Sequence, residues 1–327
     1  MIRYTIKRIL TLIPVALGVA VVIFSIMYFA PGDAVRLILG NGASQEQINT
    51  LRETLGLNDP YHIQLLNFLE DTFLHFDLGN SWVNNTSVMN ELVTRLPRTF
   101  TLAMICFVTQ IVIAIPLGVT AAVHRNKWQD TLCTVVVLVG LSLPGFWLAL
   151  MMILTFSFKL HWLPSYGIGT WMHWIMPGIA ASLMGIGVIA RQTRSQMLEV
   201  IRSDYIVTAR AKGVSETAIR YKHALPNALI PVVTGIGTSF GASLGGSVVV
   251  ESAFSIPGIG KYLVDGINSR DLPVVRGGVV FLAILFCFVV LLVDLVYTFI
   301  DPRIKSQFEG SKKKKKSKNA KGVTVNG

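Results

Sequence analysis

The sequence predicts an all-α polytopic membrane protein with six transmembrane helices. The chain has 327 residues, of which 52% are hydrophobic, and its mean hydropathy is +0.57. Its 29 basic and 18 acidic residues leave six long windows almost free of charge. Because a helix needs about 20 apolar residues to cross a bilayer, each window is a candidate span. The pattern excludes an ordinary soluble enzyme, whose charges recur along every element, and a disordered chain, which lacks apolar mass.

The six windows set the boundaries of the predicted helices. They lie at about 9–30, 99–123, 132–158, 174–190, 228–250 and 278–300. The first window follows three basic residues, as a secretory signal does, but it is too long for one and Pro31 disfavours cleavage, so we expect an uncleaved anchor. Pro164 and Pro177 interrupt the apolar stretch of the fourth window. The chain therefore divides into a first helix within 1–30, a loop at 31–98, a core at 99–300 and a basic tail at 301–327.

The distribution of Lys and Arg predicts the orientation in the membrane. If both termini lie on one side, that side carries 21 of the 29 basic residues and the other side carries 8. Because basic residues favour the cytoplasmic side, we expect both termini, the turn at 124–131 and the segment 191–227 to be cytoplasmic. The net charge of +11 then reflects mostly the basic residues that set the orientation in the membrane. It does not indicate a nucleic-acid-binding surface.

The long loop after the first span is predicted to contain two helices. Ser44 and Gln47 have the spacing of a capping box, and Gly56 can end that helix in the left-handed conformation. Asp59 then caps a second helix with Pro60 at its first position. Four apolar residues follow at helical spacing: Leu65, Leu66, Leu69 and Phe73. We expect the loop to pack as a cap on the outer mouth, to offer a docking surface to an external partner, or to do both.

The segment 191–227 predicts a helical hairpin on the basic side. An apolar stripe at helical spacing runs through Leu198, Ile201, Tyr205 and Ala209. Gly213 ends this helix, and Ser215 begins a second short one. Leu225-Pro226 ends the second helix. Taken alone, such a hairpin is also consistent with a surface element that lies on lipid headgroups.

The fifth span carries three glycines at a spacing of four residues, Gly237, Gly241 and Gly245. Small residues at this spacing let helix backbones approach closely. The pattern favours helix packing within the bundle. It leaves open a subunit interface or a wall of a transport pathway.

Two charged features lie near the end of the chain. Asp294 is the only charged residue deep within a span. It fits a structural acid better than an ion path, because no second charge in the spans offers a relay. The tail contains the lysine run Lys312–Lys316, which we expect to be disordered, either solvated or close to anionic lipid.

Several kinds of site are missing from the sequence. Gly260-Lys261 resembles the end of a phosphate-binding loop. However, Ser255 stands where the loop needs its first glycine, and Tyr262 replaces the final Ser or Thr. We therefore expect no ATP hydrolysis by this chain. Its three cysteines lie far apart in apolar windows, at Cys106, Cys133 and Cys287. We identify no disulfide framework, no catalytic constellation and no metal site in the sequence.

Residues 207–226, VTARAKGVSETAIRYKHALP, resemble the cytoplasmic coupling motif of ABC-importer permeases. That motif has Glu-Ala-Ala, then Gly after three residues, and Leu-Pro at a fixed distance beyond. The matching residues are Ala209, Gly213, Leu225 and Pro226. Val207, Thr208 and His223 stand where the motif has Glu, Ala and Ile. The resemblance implies that the hairpin docks on an ATPase.

Further segments resemble the dipeptide/oligopeptide/nickel branch of these permeases. They include PGDAVRLILG at 31–40, FDLGNSW at 76–82, SLPGFWLAL at 142–150, ESAFSIPGIGKYL at 251–263 and DPRIK at 301–305. The resemblance implies a type I ABC importer permease fold in a bacterial-type plasma (inner) membrane. It implies import of short peptides, driven by ATP and Mg in two ATP-binding cassette ATPase subunits. The other implied partners are a second homologous permease subunit and an extracytoplasmic solute-binding protein.

Other functions remain open at this point. The same machinery also serves nickel or another small solute in this branch. An ion-coupled secondary transporter needs coupling groups, for which Asp294 is the only support. A non-transporting membrane scaffold is the third alternative. The residues that line a pathway or bind the solute cannot be selected from the sequence.

Overall fold

The computed structural model describes residues 2–30, 32, 34–40 and 42–300. In chain order its α-helices are α1 (Ile2–Phe29), α2 (Ala34–Leu39), α3 (Gln45–Thr54), α4 (Tyr61–Glu70), α5 (Val88–Val123), α6 (Trp128–Ser142), α7 (Gly145–Met152), α8 (Ile175–Ile201), α9 (Asp204–Ala211), α10 (Glu216–Ala218), α11 (Leu225–Ala253), α12 (Ile259–Ser269) and α13 (Leu272–Ile300). Within the described residues, five helical segments are long and apolar enough to cross a membrane. A sixth span is present if one bent helix pair counts as a single span. The all-α membrane class is therefore confirmed, with five or six spans.

The predicted third span, 132–158, is not one straight helix. Helix α6 ends at Ser142, α7 begins at Gly145, and the two segments meet at 99°. The break falls at Leu143-Pro144, where the backbone is extended. A proline removes a helical hydrogen bond and disfavours helical geometry in the residue before it, which explains why an uninterrupted apolar window is still bent.

The other spans extend beyond their apolar windows. Helix α5 begins at Val88 rather than at residue 99, and α8 continues to Ile201 rather than ending at 190. Charge limits the part of a helix that lies in lipid, but it does not end the helix. The first turns of α5 bury Val88 and Leu92 against α12, and this packing stabilises the extension.

Helices α5 and α8 approach each other closely in the bundle core. A Cβ at Gly118 of α5 would lie 2.6 Å from the carbonyl oxygen of Ala190 and 2.6 Å from Cβ of Thr193, both on α8. A Cβ at Gly178 of α8 would meet the side chain of Ile105. Only a residue without a side chain permits such an approach.

The helices of the long loop partly follow the prediction. The capping box of Ser44 and Gln47 is present, and Gly56 has φ +63°. The prediction that Asp59 caps α4 is wrong. Pro60 is the cap residue, with no side-chain hydrogen bond, and the Asp59 carbonyl oxygen instead accepts from Nε2 of Gln64 at 2.8 Å. Proline fixes the extended entry into α4 by its own ring, so the cap needs no acidic side chain.

Helix α4 packs on the end of α1 through an aromatic cluster. The ring of Phe24 lies 5.5 Å from that of Phe68 and 5.7 Å from that of Tyr61. The hydroxyls of Ser25 and Tyr61 are hydrogen-bonded at 2.7 Å. This part of the loop therefore packs against α1, while Leu66 on the other face of α4 is exposed. Its roles as a cap on the outer mouth and as a docking surface remain predictions.

Buried carboxylates fix both ends of α12. The carboxylate of Glu251 accepts hydrogen bonds from the hydroxyl of Ser247 at 3.1 Å and from the backbone N–H of Lys261 at 3.2 Å. Asp271 accepts from the hydroxyl of Ser81 at 2.5 Å and from the backbone N–H of Trp82 at 3.1 Å. Helix α12 is thereby joined to α11 at its start and to the long loop at its end.

Two features of the sequence lie outside this description. The side chain of Asp294 is not among the described parts of α13, and the whole tail 301–327, with its lysine run, lies beyond the described residues. The roles assigned to them above remain predictions.

Candidate coupling hairpin

The turn of the hairpin is a helix C-cap built on Gly213. Helix α9 starts after Ser203, whose backbone is extended, and ends at Ala211, with Lys212 as its C-cap. Gly213 follows with φ +79°. Its N–H donates to the carbonyl oxygen of Arg210 at 3.0 Å, and the N–H of Val214 donates to that of Ala209 at 3.2 Å. These two bonds define a Schellman motif, in which glycine is the preferred left-handed residue. The glycine stop predicted from the sequence is confirmed.

The first helix of the hairpin departs from the predicted stripe. Helix α8 ends at Ile201 and α9 begins at Asp204, so residues 198–209 do not form one continuous helix. As a result Tyr205 is exposed, and the neighbouring Ile206 is fully buried instead. The helix break rotates the apolar face by about one residue, which a constant period of 3.6 residues cannot anticipate.

The second helix begins as predicted but does not end at Leu225-Pro226. The hydroxyl of Ser215 accepts from the N–H of Ala218 at 3.4 Å. Beyond α10 the chain forms a π-helical segment, Ile219–Ala224, and enters α11 directly. Pro226 is tolerated in the first turn of α11 because that turn requires few N–H donors. The second helix of the hairpin is therefore continuous with a span.

An ion pair bridges the two sides of the turn. Nε of Arg210 donates to Oε1 of Glu216 at 2.6 Å, and Nη2 donates to Oε2 at 3.3 Å. The Glu216 carboxylate raises the pKa of the Arg210 guanidinium. Both side chains are about half exposed, so solvent screens the pair. The bidentate geometry of the pair orients α10 relative to α9.

A buried apolar cluster joins the hairpin to three long helices. Its residues are Val119 and Ala122 of α5, Met197 of α8, Ile206 of α9, Ile219 and Ala224 of the π segment, and Ala228 of α11. Ile206 and Ile219 are fully buried. Each contributes about 1.5–3 kcal/mol of hydrophobic stabilisation. The hairpin is therefore packed against the ends of α5, α8 and α11 and is not a free loop.

The opposite face of the hairpin carries exposed apolar and aromatic side chains. Tyr205, Val207 and Tyr221 are each about half exposed or more, and the basic residue Lys212 lies at the turn. Among the four motif positions, Pro226 and Gly213 are exposed, and Ala209 and Leu225 are partly buried. The hairpin thus has an inward face, which packs against the ends of α5, α8 and α11, and an outward face, which is exposed and can contact a partner.

A second ion pair at this end of the bundle was not anticipated from the sequence. Nε of Arg194 on α8 donates to Oδ1 of Asp130 at 2.7 Å, and Nη2 donates to Oδ2 at 2.8 Å. Asp130 lies in the first turn of α6 and also accepts from the N–H of Asn126 at 3.0 Å. The two residues are 64 positions apart, so no local pattern indicates that they meet. The pair fixes α6 to α8 about two turns before the hairpin.

The three glycines of α11 differ in what surrounds them. A Cβ at Gly237 would collide with the side chain of Val293, and one at Gly241 would lie 3.1 Å from Cε2 of Phe286, both on α13. A Cβ at Gly245 would meet nothing within 4 Å. Gly237 and Gly241 therefore lie at the contact between α11 and α13, whereas Gly245 faces out of the chain.

The sequence Gly260-Lys261 occupies the start of α12. The Glu251 carboxylate fills the space beside this helix end and accepts from the Lys261 N–H. A Cβ at Gly260 would lie 2.9 Å from Oε2 of Glu251. The Lys261 ammonium donates to Oδ1 of Asp265 at 3.0 Å. The backbone N–H of Lys261 at the start of α12 is thus hydrogen-bonded to a carboxylate of the same chain.

The family of the chain follows from two matches that together cover nearly all of it. The family described as binding-protein-dependent transport system inner membrane component matches residues 114–306. Its N-terminal companion matches residues 1–103. The chain belongs to this family of permeases. The hairpin and its motif therefore lie in a permease of binding-protein-dependent transport systems, the family that the coupling motif indicated.

Curated relatives of this permease match from end to end. The dipeptide transport system permease protein DppB of Alkalihalophilus pseudofirmus is 41% identical over an alignment of 333 residues. The alignment covers 93% of this chain and 100% of the relative. A putative peptide transport system permease of Brucella abortus is 44% identical, with 91% and 98% covered. The glutathione transport system permease protein GsiC of Salmonella typhimurium is 40% identical, with 93% and 99% covered.

Solved structures with a similar fold come from ABC transporters. A chain of the inward-facing MetNI methionine ABC transporter aligns with a TM-score of 0.56 and 22% identity, covering 65% of this permease and 97% of that chain. An amino acid ABC transporter crystallised with histidines aligns with a TM-score of 0.50 and 13% identity. At such low identity these likenesses establish the fold alone, which is the predicted ABC importer permease fold.

Proposed function

We propose that this permease is the transmembrane subunit of an ATP-driven importer of short peptides. The observation that carries the proposal is the end-to-end similarity, at 40–44% identity, to permeases named for dipeptides, peptides and glutathione. The hairpin supports the same function, because its buried face holds three long helices and its motif matches that of ATPase-coupled permeases. The family does not favour an ion-coupled secondary transporter.

The proposed assembly contains four kinds of subunit. This chain pairs with a second, homologous permease, and two ATP-binding cassette ATPases use ATP and Mg beneath the hairpins. A solute-binding protein delivers the peptide at the opposite face. ATP hydrolysis moves the ATPases, the outward face of the hairpin follows them, and the buried cluster around Ile206 and Ile219 passes the motion to α5, α8 and α11.

We expect ATP-dependent dipeptide uptake by the complete transporter. The five proteins are reconstituted in liposomes, and a labelled dipeptide and a nickel chelate are offered in parallel. Dipeptide should accumulate only when ATP and the binding protein are both present. The chain alone should hydrolyse no ATP, because Glu251 occupies the space beside Gly260-Lys261. Uptake of nickel without dipeptide would reassign the solute, and steady hydrolysis by the pure chain would contradict the division of roles.

The proposed orientation places the hairpin and both termini in the cytoplasm. Single cysteines at Asn84, in the long loop, and at Asn126, in the turn before α6, test it, because both positions are exposed and the native cysteines are buried. A membrane-impermeant maleimide should label Asn84→Cys in intact cells and Asn126→Cys only after permeabilisation. Labelling of both positions from one side would refute the orientation.

A further inference from the structure

Helices α6, α7 and α8 form a frame with three corners. At the first corner, α6 is joined to α7 through the 99° bend. At the second, Ala149 of α7 packs in one buried cluster with Met176 and Ala180 near the start of α8. At the third, Asp130 in the first turn of α6 forms its bidentate ion pair with Arg194 of α8. The pair therefore completes the frame at the end nearer the hairpin.

Between the corners, α6 and α8 pack side by side through glycines. A Cβ at Gly187 of α8 would lie 2.6 Å from Cγ of Leu141 and 3.3 Å from the carbonyl oxygen of Val137, both on α6. A Cβ at Gly140 of α6 would lie 3.2 Å from Cδ1 of Leu183 on α8. Apolar contacts of this kind hold the two helices together, but they are not directional. A bidentate ion pair adds a defined relative geometry.

Asp130 is the more buried member of the pair and binds two segments at once. Its side chain is 8% exposed, and that of Arg194 is 33% exposed. Besides Arg194, its carboxylate accepts from the N–H of Asn126, in the turn that joins α5 to α6. A buried ion pair adds little net stability, because desolvation offsets the attraction, yet a buried charge left without its partner is strongly unfavourable. The pair is therefore better suited to fix the position of α6 than to stabilise the fold.

The hairpin contacts this frame through α8. Met197 follows Arg194 by less than one helical turn and is fully buried in the cluster that contains Ile206 and Ile219 of the hairpin. The residues of that cluster come from α5, α8, α9, the π segment and α11. A displacement of the hairpin therefore reaches α6 through its neighbours, which are α8 and the turn after α5. Asp130 is bonded to both of them.

We propose that the Asp130–Arg194 pair locks the bend between α6 and α7, so that α6, α7 and α8 move as one body when the ATPases displace the hairpin. Without the pair, α6 tilts against α8 at the bend, because Pro144 interrupts the helical hydrogen bonds there. Part of the displacement is then lost before it reaches α7. Asp130 and Arg194 are thus positioning residues for coupling. This inference rests on the proposed function of the chain as an ATP-driven permease.

The first test compares dipeptide uptake with ATP hydrolysis in liposomes that contain the complete transporter. We expect Arg194→Gln to keep ATP hydrolysis within about twofold of the wild type and to lower uptake about tenfold, so that more ATP is consumed per imported dipeptide. Asp130→Asn and the double variant should resemble Arg194→Gln, because the two residues act as a unit. Arg194→Lys keeps a cation and should restore part of the uptake.

Lys261→Gln is the matched control for this test. It breaks the ion pair of Lys261 with Asp265, and the exposure of Lys261, at 31%, is close to that of Arg194. This pair lies within the single helix α12 and joins no two segments. We therefore expect Lys261→Gln to leave the ATP consumed per dipeptide unchanged.

The second test measures the bend itself and does not depend on the transported solute. Spin labels are attached to Leu132→Cys on α6 and Leu154→Cys in the π-helical segment Ile153–Lys159 that follows α7. Both positions are exposed, and the native cysteines are buried. Electron–electron resonance of the assembled transporter should give a narrow distribution of label distances in the wild type, with and without ATP. Arg194→Gln should broaden it.

The outcomes separate this proposal from the proposed function. Label distances in Arg194→Gln that equal those of the wild type would overturn the lock. So would a parallel loss of uptake and ATP hydrolysis per assembled transporter, because a merely structural role has that effect. If the wild type imports no dipeptide, the proposed function fails, and the label distances still decide whether the pair locks the bend. If Arg194→Gln does not assemble, Asp130→Asn replaces it in both tests.

Discussion

Gly213→Val should abolish most transport while leaving the permease in the membrane. Gly213 has φ +79°, and this conformation makes both hydrogen bonds of the Schellman turn. A side chain with a Cβ opposes the left-handed region by about 1–2 kcal/mol, and a β-branched one by more. A cost of that size changes the population of the native turn about 5–30-fold. The measurement is dipeptide uptake per assembled transporter, with ATPase co-purification as a second readout.

Gly213→Asn is the matched control for this effect. A Cβ at position 213 would meet no described atom within 4 Å, so a clash at the Cβ is not expected to distinguish the two substitutions. Asn adopts the left-handed conformation more readily than other residues with a side chain. We therefore expect Asn to retain most uptake and most ATPase association. Equal losses for Val and Asn would mean that a partner contacts the site and that turn geometry is not the cause.

Wild-type uptake by Gly213→Val would contradict the coupling role of the hairpin. The substitution lies outside the buried cluster that joins the hairpin to the spans, so membrane insertion should be preserved. Loss of the protein from the membrane would also be informative, because it would show that the hairpin is needed for folding. Abundance in the membrane is therefore measured alongside uptake.

The sequence predicts local geometry well where one residue type imposes it. Gly213, Gly56 and the capping box of Ser44 and Gln47 all take the predicted forms. Each depends on contacts within a few residues, so the sequence contains the whole cause. The same reasoning failed at Pro226, which was expected to end a helix and instead lies in the first turn of α11. A proline between two helical segments is compatible with either outcome.

Features that depend on distant residues could not be predicted. The Asp130–Arg194 pair joins residues 64 positions apart, and Arg276 meets Phe24 from the other end of the chain. The bend at Leu143-Pro144 lies within an apolar window that reads as a single span. Hydropathy reports how apolar a segment is, and it does not report how the segment crosses the membrane.

Substitutions of the three glycines of α11 distinguish helix packing within this chain from contacts with other molecules. Gly237→Leu should cause the largest loss of folded protein, because its side chain would collide with Val293. Gly241→Leu should follow, since Phe286 lies at 3.1 Å. Overpacking of this kind typically costs about 1–3 kcal/mol. The amount of monodisperse protein after extraction and its thermal stability measure both effects.

Gly245→Leu should behave differently from the other two. Apart from its own helix backbone, no atom of the described residues lies within 4 Å of a Cβ at that position, so the chain should fold and insert normally. Thr238, Ala242 and Gly245 are nevertheless exposed on one face of α11, and a face of small residues is typical of close helix contact rather than lipid contact. We therefore expect normal abundance with reduced pairing to the second permease or reduced uptake.

Gly18→Leu is the control for Gly245→Leu. Gly18 also lies in a span and is exposed, and a Cβ at this position would meet nothing within 4 Å, but it belongs to α1, whose exposed neighbours are large and apolar. The same added side chain at this position should change neither pairing nor uptake, because lipid adapts to it. If Gly245→Leu and Gly18→Leu both leave uptake unchanged, the outward face of α11 contacts lipid. If only Gly245→Leu impairs it, that face meets the second permease or the transported solute.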